Sequence, residues 1–441
     1  MNLMQDRKRA STAYDGKRVR VKNHIFPAMI GLSIMTFLLS ACSAQTSQGK
    51  PSVPPSFLPA QDATPSGANA PLHRFGVAVA RNALSVYDSN DNAAMRFGWY
   101  VDYHVNPDAP MPYGMEYVPM VRVKQLKHAG GSRTECCVEC GYVLPYEYTV
   151  SPGIGQIQTT AERHPGMTWL IGNEMDRVDL GSGYCSRQDE MLPELYARAY
   201  HELYYAIKSA DTTARVAIGG MVEFTPLRRQ YLQRVWTEYS RLYGMPIPVD
   251  IWSMHVYVLQ EVKGSFGADI PPGSKERSGA QYTLLDNQDF TKAWAQIVDF
   301  RMWMKQHGQQ DKPLIISEYG VTYPAWVDNG CPAFPDTTGC PFSPEQVRDH
   351  FMYPSFEAFL NQTDPNIGYP ADGNRLVQRW NWFSVDYDEG YCDAGVYYEI
   401  YNGSLFHSGL GPVNPPIDCS YPAKGVAALG NYWKQYVQKL P

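Results

Sequence analysis

Trp169-Leu170-Ile171-Gly172-Asn173-Glu174-Met175-Asp176 is an apolar stretch that breaks off into polar residues, and Pro313-Leu314-Ile315-Ile316-Ser317-Glu318-Tyr319-Gly320 repeats the arrangement 144 residues later. Unbroken apolar runs of this length suit strands covered on both faces, as in a parallel sheet. Counting Thr168 to Ile171 and Leu314 to Ser317 here, six more runs make eight candidate strands: Phe75 to Val79, Met95 to Val101, Val118 to Val123, Val216 to Gly220, Ile251 to His255 and Val377 to Phe383. Helical patterns separate several of them. Thr225 and Pro226 form an N-cap and first-turn proline, after which Leu227, Tyr231, Val235, Tyr239 and Leu242 recur at helical spacing and Gly244 follows. Leu195, Ala199, Leu203 and Ile207 make a similar stripe after Pro193, and a third helix is predicted over Phe290 to His307, stopped by Gly308. Strands alternating with helices require parallel crossovers, so the expected fold is α/β, a (β/α)8 TIM barrel with long, disulfide-bearing loops. The first three units show the least helical periodicity.

Glu174 and Glu318 both stand at C-terminal strand ends, by count strands four and seven. That rim is where such barrels build active sites. Here the sequence resembles clan A of the glycoside hydrolases, whose acid/base Glu follows an Asn at the end of strand four and whose nucleophilic Glu ends strand seven. The resemblance covers most of the chain after residue 72, and it implies Glu174 as acid/base, Glu318 as nucleophile and Asn173 as partner of the substrate 2-hydroxyl. The chemistry gives such a pair its reason: cleaving an acetal with retention needs one carboxylate to attack the anomeric carbon and one carboxylic acid to protonate the leaving oxygen, about 5 to 5.5 Å apart. Glu174 is expected to have the raised pKa, because the charge on Glu318 opposes its ionisation. No metal or organic cofactor is required. The plainer reading makes either Glu an ion-pair partner or a helix N-cap. Asn173 and Glu174 would face opposite ways on an ideal strand, so a bend is expected there.

His255 and Tyr257, two apart in Trp252-Ser253-Met254-His255-Val256-Tyr257, share a strand face. They are similar to the His-x-Tyr of several clan A families, and one of them is expected to donate a hydrogen bond to the nucleophile or the sugar; a core His beside a packing Tyr is the alternative. In Arg379-Trp380-Asn381-Trp382-Phe383 the resemblance implies a Trp beneath the sugar, and Trp382 is preferred because it lies nearer the strand end. Arg122, Trp99 and Tyr319 are further substrate-binding candidates, with Tyr323 and Trp326 on rim loops, since aromatic faces stack on sugar rings. Gly98-Trp99-Tyr100 and Glu116-Tyr117-Val118-Pro119-Met120 look like the clan's compact β-1,3-glucanase family. The tether, the Cys-rich loop and the long loop through Cys392 to Cys419 depart from it. The expected activity is retaining hydrolysis of a β-linked polysaccharide or oligosaccharide, β-glucan first. A non-catalytic polysaccharide-binding lipoprotein and a transglycosylase on the same site are the alternatives.

The N-terminus carries Arg7, Lys8, Arg9, Lys17, Arg18, Arg20 and Lys22 ahead of an uncharged apolar run of fifteen residues from Ile25 to Leu39. These are the basic and apolar regions of an export signal, and the run falls short of the roughly 20 residues that span a bilayer. Leu39-Ser40-Ala41-Cys42 resembles the bacterial lipobox, which implies cleavage after residue 41 and lipidation of Cys42; an ordinary secretory signal beside a Cys is the alternative. Residues 42–72 are a Pro- and Ser-rich tether, and 73–441 form one domain. The protein is thus expected on the outer face of the cell envelope, touching the membrane only through its lipid. Without residues 1–41 the chain loses seven basic and two acidic side chains, leaving 31 Lys and Arg against 42 Asp and Glu, a net charge of −11. So acidic a surface repels phosphate backbones, and no nucleic-acid partner is expected. Beyond Cys42, an even set of cysteines (Cys136, Cys137, Cys140, Cys185, Cys331, Cys340, Cys392, Cys419) predicts four disulfides outside the cell. Spacing favours Cys331 with Cys340 and Cys392 with Cys419, leaving Cys185 for the 136–140 cluster; zinc held by that cluster is the alternative.

Overall fold

The computed structural model describes residues 71–441 apart from 136, 138–139, 179–186, 266, 325–338, 388–389, 394–395, 400–402 and 410–422, together with Arg18–Val19, whose backbone pairs antiparallel with Tyr148 and Thr149. Its strands are β1 (Phe75–Ala78), β2 (Trp99–Val101), β3 (Glu116–Tyr117), β4 (Met120–Gln125), β5 (Tyr148–Ser151), β6 (Thr168–Asn173), β7 (Arg215–Gly220), β8 (Trp252–Val256), β9 (Leu314–Tyr319) and β10 (Arg379–Trp382). One sheet runs β8-β9-β10-β1-β2-β3, all parallel. In the other, β4, β6 and β7 are parallel and β5 lies antiparallel against the C-terminal half of β4.

The two sheets meet twice. Pro119 separates β3 from β4, because a residue without an N–H cannot continue a ladder, while its carbonyl still accepts from Leu170 N at 3.0 Å. Between β7 and β8 the pairing thins to a single parallel bridge, Ala217 to Ile251. All eight expected strands are present as neighbours in chain order, yet a continuously hydrogen-bonded closed barrel is not formed. The expected second strand is also shortened. Met95 belongs to helix α1 (Ser89–Met95), whose first turn is capped by Asp88, and β2 begins only at Trp99.

The crossover helices are α2 (Ile154–Arg163), α3 (Pro193–Ala210), α4 (Pro226–Tyr243), α5 (Phe290–Gln306) and α6 (Tyr353–Asn361); α7 (Ala428–Val437) closes the chain. Helix α4 has the predicted punctuation: Thr225 Oγ1 accepts from Arg228 N, and Gly244 ends the helix at φ 67°. A small apolar cluster of Trp99, Val101, Val118, Met120, Leu170, Ala217, Ile251 and Ile315 fills the space enclosed by the strands. The larger core lies between strands and helices. At the strands' N-terminal ends Glu116 pairs with Arg379 at 2.9 Å and Arg215 at 3.5 Å and accepts from Thr168 Oγ1 at 3.0 Å. That network ties four strand starts together and leaves the opposite rim for chemistry.

Cys137 and Cys140 form a disulfide across a three-residue step, which does not brace a long loop as expected, and Cys340 is also disulfide-bonded. Cys42, Cys136, Cys185, Cys331, Cys419 and Trp326 lie outside the described residues, as do Ile25 to Leu39 and the side chain of Cys392. Among the described residues no helix is long and apolar enough to cross a membrane.

Candidate active site

The bend expected at the end of β6 is made by backbone dihedrals. Gly172 has φ 90° and Glu174 φ 49°, and the left-handed conformation of Glu174 turns its side chain away from the alternation of the strand. Such a conformation costs a non-glycine residue about 1–3 kcal/mol and persists only where surroundings enforce it. They do so here: Glu174 N donates to Gly220 O at 2.9 Å and Asn173 N to Asp189 Oδ2 at 2.9 Å. In β8 a register shift between Met254 and His255 brings His255 opposite Glu318 of β9.

These distortions bring Glu174, His255 and Glu318 together, with one ligand atom of each within 4.8 Å of the others. Glu174 is 2 % exposed, Glu318 7 % and His255 0 %. Tyr257 Oη donates to Glu318 Oε1 at 2.7 Å and Tyr103 Oη to Oε2 at 2.5 Å. On the other acid, His255 Nδ1 lies 3.2 Å from Glu174 Oε1 and Arg177 Nη1 3.0 Å from Oε2. His255 Nε2 is buried without a partner, which places the ring proton on Nδ1, donating to Glu174. Glu174, His255 and Glu318 are a donor set that zinc accepts. Their lone pairs already face two phenols and a guanidinium, so a cation would have to displace Arg177.

Electrostatics divide the acids in the opposite sense to that expected. Burial pushes Glu174 upward, but Arg177 and His255 outweigh it and hold its pKa at about 2. Glu318 is raised, first by burial and then by the charge on Glu174, against the pull of His255, Tyr103 and Tyr257. Arg177 and His255 together therefore keep Glu174 ionised. For His255, burial works against a proton, and the carboxylates Glu318 and Glu174 more than compensate.

The other sequence candidates divide. Asn173 stands at the site, its Nδ2 bonded to Arg187 O at 3.1 Å and its buried Oδ1 without a partner. Arg122 is committed to Asp189 at 2.8 Å and to Arg187 O at 2.8 Å, a tie between β4 and the segment after β6. Trp99 is not brought to the carboxylates: it is fully buried near the N-terminal network, donates to Arg74 O at 3.1 Å and has the Arg379 guanidinium 4.5 Å from its ring centre. Tyr319 follows Glu318 on the strand and so faces the helices, with its hydroxyl 3.2 Å from Ser355 Oγ. Trp382 is fully buried as well, donating to Gly403 O at 2.7 Å with its ring edge-on to Tyr319. Tyr323 sits beside Phe342. Period-two alternation counted from Glu318 was the signal against Tyr319. Sequence reading missed Tyr103, which lies at φ 63° in a turn beyond β2 and belongs to no motif. It also missed Arg177, although a basic residue three after an acid is a recognisable spacing.

No family model and no curated protein matches the chain. Among solved structures it is similar to an endo-β-1,3-glucanase of glycoside hydrolase family 128 from Amycolatopsis mediterranei in complex with laminaripentaose, at 13 % identity and TM-score 0.39, covering 82 % of this chain and 98 % of that one. An oligosaccharide-binding protein of the same family from Trichoderma gamsii gives 13 % identity and TM-score 0.37, covering 80 % and 93 %. The catalytic core of a xylanase A gives 12 % and 0.43, covering 83 % and 98 %. Likeness of this degree bears on neither substrate nor chemistry, which rest on the residues above.

Proposed function

We propose that this chain is a retaining glycoside hydrolase for a β-linked polysaccharide or oligosaccharide, built on a (β/α)8-type ring with Glu318 as nucleophile and Glu174 as proton donor. The observation that carries the reading is the spacing of the acids, with a carboxylate oxygen of each within 4.8 Å. An inverting site would need room for a water between carboxyl groups about 6.5–9.5 Å apart. Glu318 attacks the anomeric carbon while the leaving oxygen takes a proton from Glu174. Tyr257 and Tyr103 hold the attacking carboxylate in one orientation. Once the glycosyl ester forms, the charge on Glu318 is gone, and Glu174, now ionised, takes a proton from the incoming water. The unpartnered Oδ1 of Asn173 is suited to accept from a sugar hydroxyl. β-1,3-Glucan is the first substrate to test, from the Trp-Tyr and Val-Pro-Met segments. Export and lipidation at Cys42 are part of the same proposal.

One observation favours a second reading. An acid paired with Arg177 is a poor proton donor, as expected of a protein that binds sugars without cleaving them. Mass spectrometry of Glu174→Ala exposed to a 2-fluoro activated β-glycoside separates the two. An adduct on the peptide containing Glu318 supports the retaining assignment; an adduct elsewhere, or inverted product from the wild type, overturns it. Wild-type binding of β-glucan oligosaccharides without turnover supports the sugar-binding reading.

A further inference from the structure

Both oxygens of Glu174 are capped, Oε1 by His255 and Oε2 by Arg177. Each donor favours the charged carboxylate, so Glu174 becomes a good proton donor to a leaving-group oxygen when one of these partners withdraws. His255 has nowhere to go. It is fully buried and lies against Gly220, where a Cβ would come within 2.2 Å of the imidazole. Arg177 is the accessible partner, with 18 % of its side chain exposed. Resting on the glycosidase reading, we propose that Arg177 is a positioning residue that keeps Glu174 ionised while the site is empty and yields to the leaving-group side of the substrate, so that Glu174 becomes an acid only when occupied.

Arg177 is held in place from behind. Its Nη2 donates to Gly267 O at 2.9 Å. The residues after Gly267 are clamped by Arg228, whose Nη2 donates to Ala268 O at 2.6 Å and Asp269 O at 3.2 Å. Arg228 is fully buried and bonded to Asp176 at 2.7 Å and to Glu261. Gly267 itself has φ 134°, and a Cβ there would meet Gln260 O at 2.4 Å, so the anchor tolerates no side chain. Among the described residues, the groups facing Glu174 are Arg177 and His255 in contact, Glu318 with Tyr103 and Tyr257 across the site, and Asp176, which is paired with Arg228. Arg122 lies behind Tyr103, committed to Asp189. Among the described residues Arg177 is the one guanidinium in contact with Glu174, acting beside the imidazole of His255. Removing it leaves burial opposed by His255 alone, so the carboxyl moves up toward the ordinary range and takes a proton more readily.

The test is a 13C NMR titration of the full-length chain carrying carboxyl-labelled glutamate, with the Glu174 signal assigned by its loss in Glu174→Gln. In Arg177→Gln the Glu174 midpoint should rise by about 1 to 3 pH units, and in Arg177→Lys it should stay near the wild type. An unmoved midpoint in a folded Arg177→Gln protein overturns the proposal. If that variant does not fold, Arg177→Met, which keeps an unbranched side chain without the charge, should still move the midpoint upward; no movement there overturns it equally. The pH–rate profile supplies the functional readout. With β-1,3-glucan, which needs the proton, the basic limb of kcat/KM in Arg177→Gln should shift to higher pH, whereas a dinitrophenyl β-glucoside should show no such shift. Failure of the wild type to cleave either substrate defeats the glycosidase reading and with it the gating role. The titration separately decides whether Arg177 sets the charge.

Discussion

Replacing Tyr257 by Phe removes one atom from the site and nothing from its packing, since the ring and the Gln296 to Tyr257 O bond at 2.8 Å remain. The lost hydroxyl is a buried donor 2.7 Å from Glu318 Oε1, on a carboxylate that is 7 % exposed. A hydrogen bond to a charged group contributes about 1.5–3 kcal/mol, so kcat/KM should fall roughly 10- to 150-fold if the bond orients and stabilises the attacking carboxylate. The pH dependence has a definite sign. Glu318 attacks only when ionised, and its pKa is already raised by burial and by Glu174. Losing a donor to the charged form raises it further, and the acid limb of kcat/KM moves to higher pH. Tyr103→Phe, which frees Oε2, should act in the same direction. Because both phenols serve one carboxylate, the double variant should not lose the product of the single effects. The assay is kcat/KM against pH on an activated aryl β-glycoside, with melting temperatures to confirm folding. A folded Tyr257→Phe protein with wild-type kcat/KM and an unmoved acid limb would refute the assignment of Glu318 as nucleophile held by Tyr257.

Three further outcomes are expected. Burial raises Glu223 to about 8 and Asp176 to about 6 around Arg228, so the folded protein holds protons that the unfolded chain releases. Their contribution to stability is fully present below the ordinary carboxyl range and is lost as pH rises from there through these values; the melting temperature should fall between about pH 4 and about pH 8 and Glu223→Gln should flatten that fall, a steeper decline in the variant contradicting it. Cys42→Ala should release the protein from membranes or block its processing, and membrane retention of a fully processed variant contradicts lipidation. Thiol titration under denaturing, non-reducing conditions should find all eight cysteines beyond Cys42 oxidised, with two or more free thiols, or stoichiometric zinc, counting against four disulfides.

Local chemistry made much of this molecule legible in one dimension. The apolar runs of β6 and β9, the Thr225 and Gly244 punctuation of α4 and the two acids at strand ends depend on neighbours a few residues away, and the structure has these where the sequence predicts them. The direction in which Trp99, Tyr319 and Trp382 point was not legible in the same way. In a parallel sheet both faces of a strand are buried in apolar surroundings, so composition does not distinguish the space enclosed by the strands from the layer beneath the helices. The single bridge between β7 and β8 follows from strand geometry around the ring. The charge of Glu174 was the least visible of all. It is decided by Arg177, held by a carbonyl 90 residues away at Gly267, and by His255 from another strand. The sequence by itself determined which residues are strands, helices and acids, because those choices are short-range. Only the tertiary structure decided which acid holds the proton, because Coulomb interactions and desolvation act through space between groups that the chain places far apart.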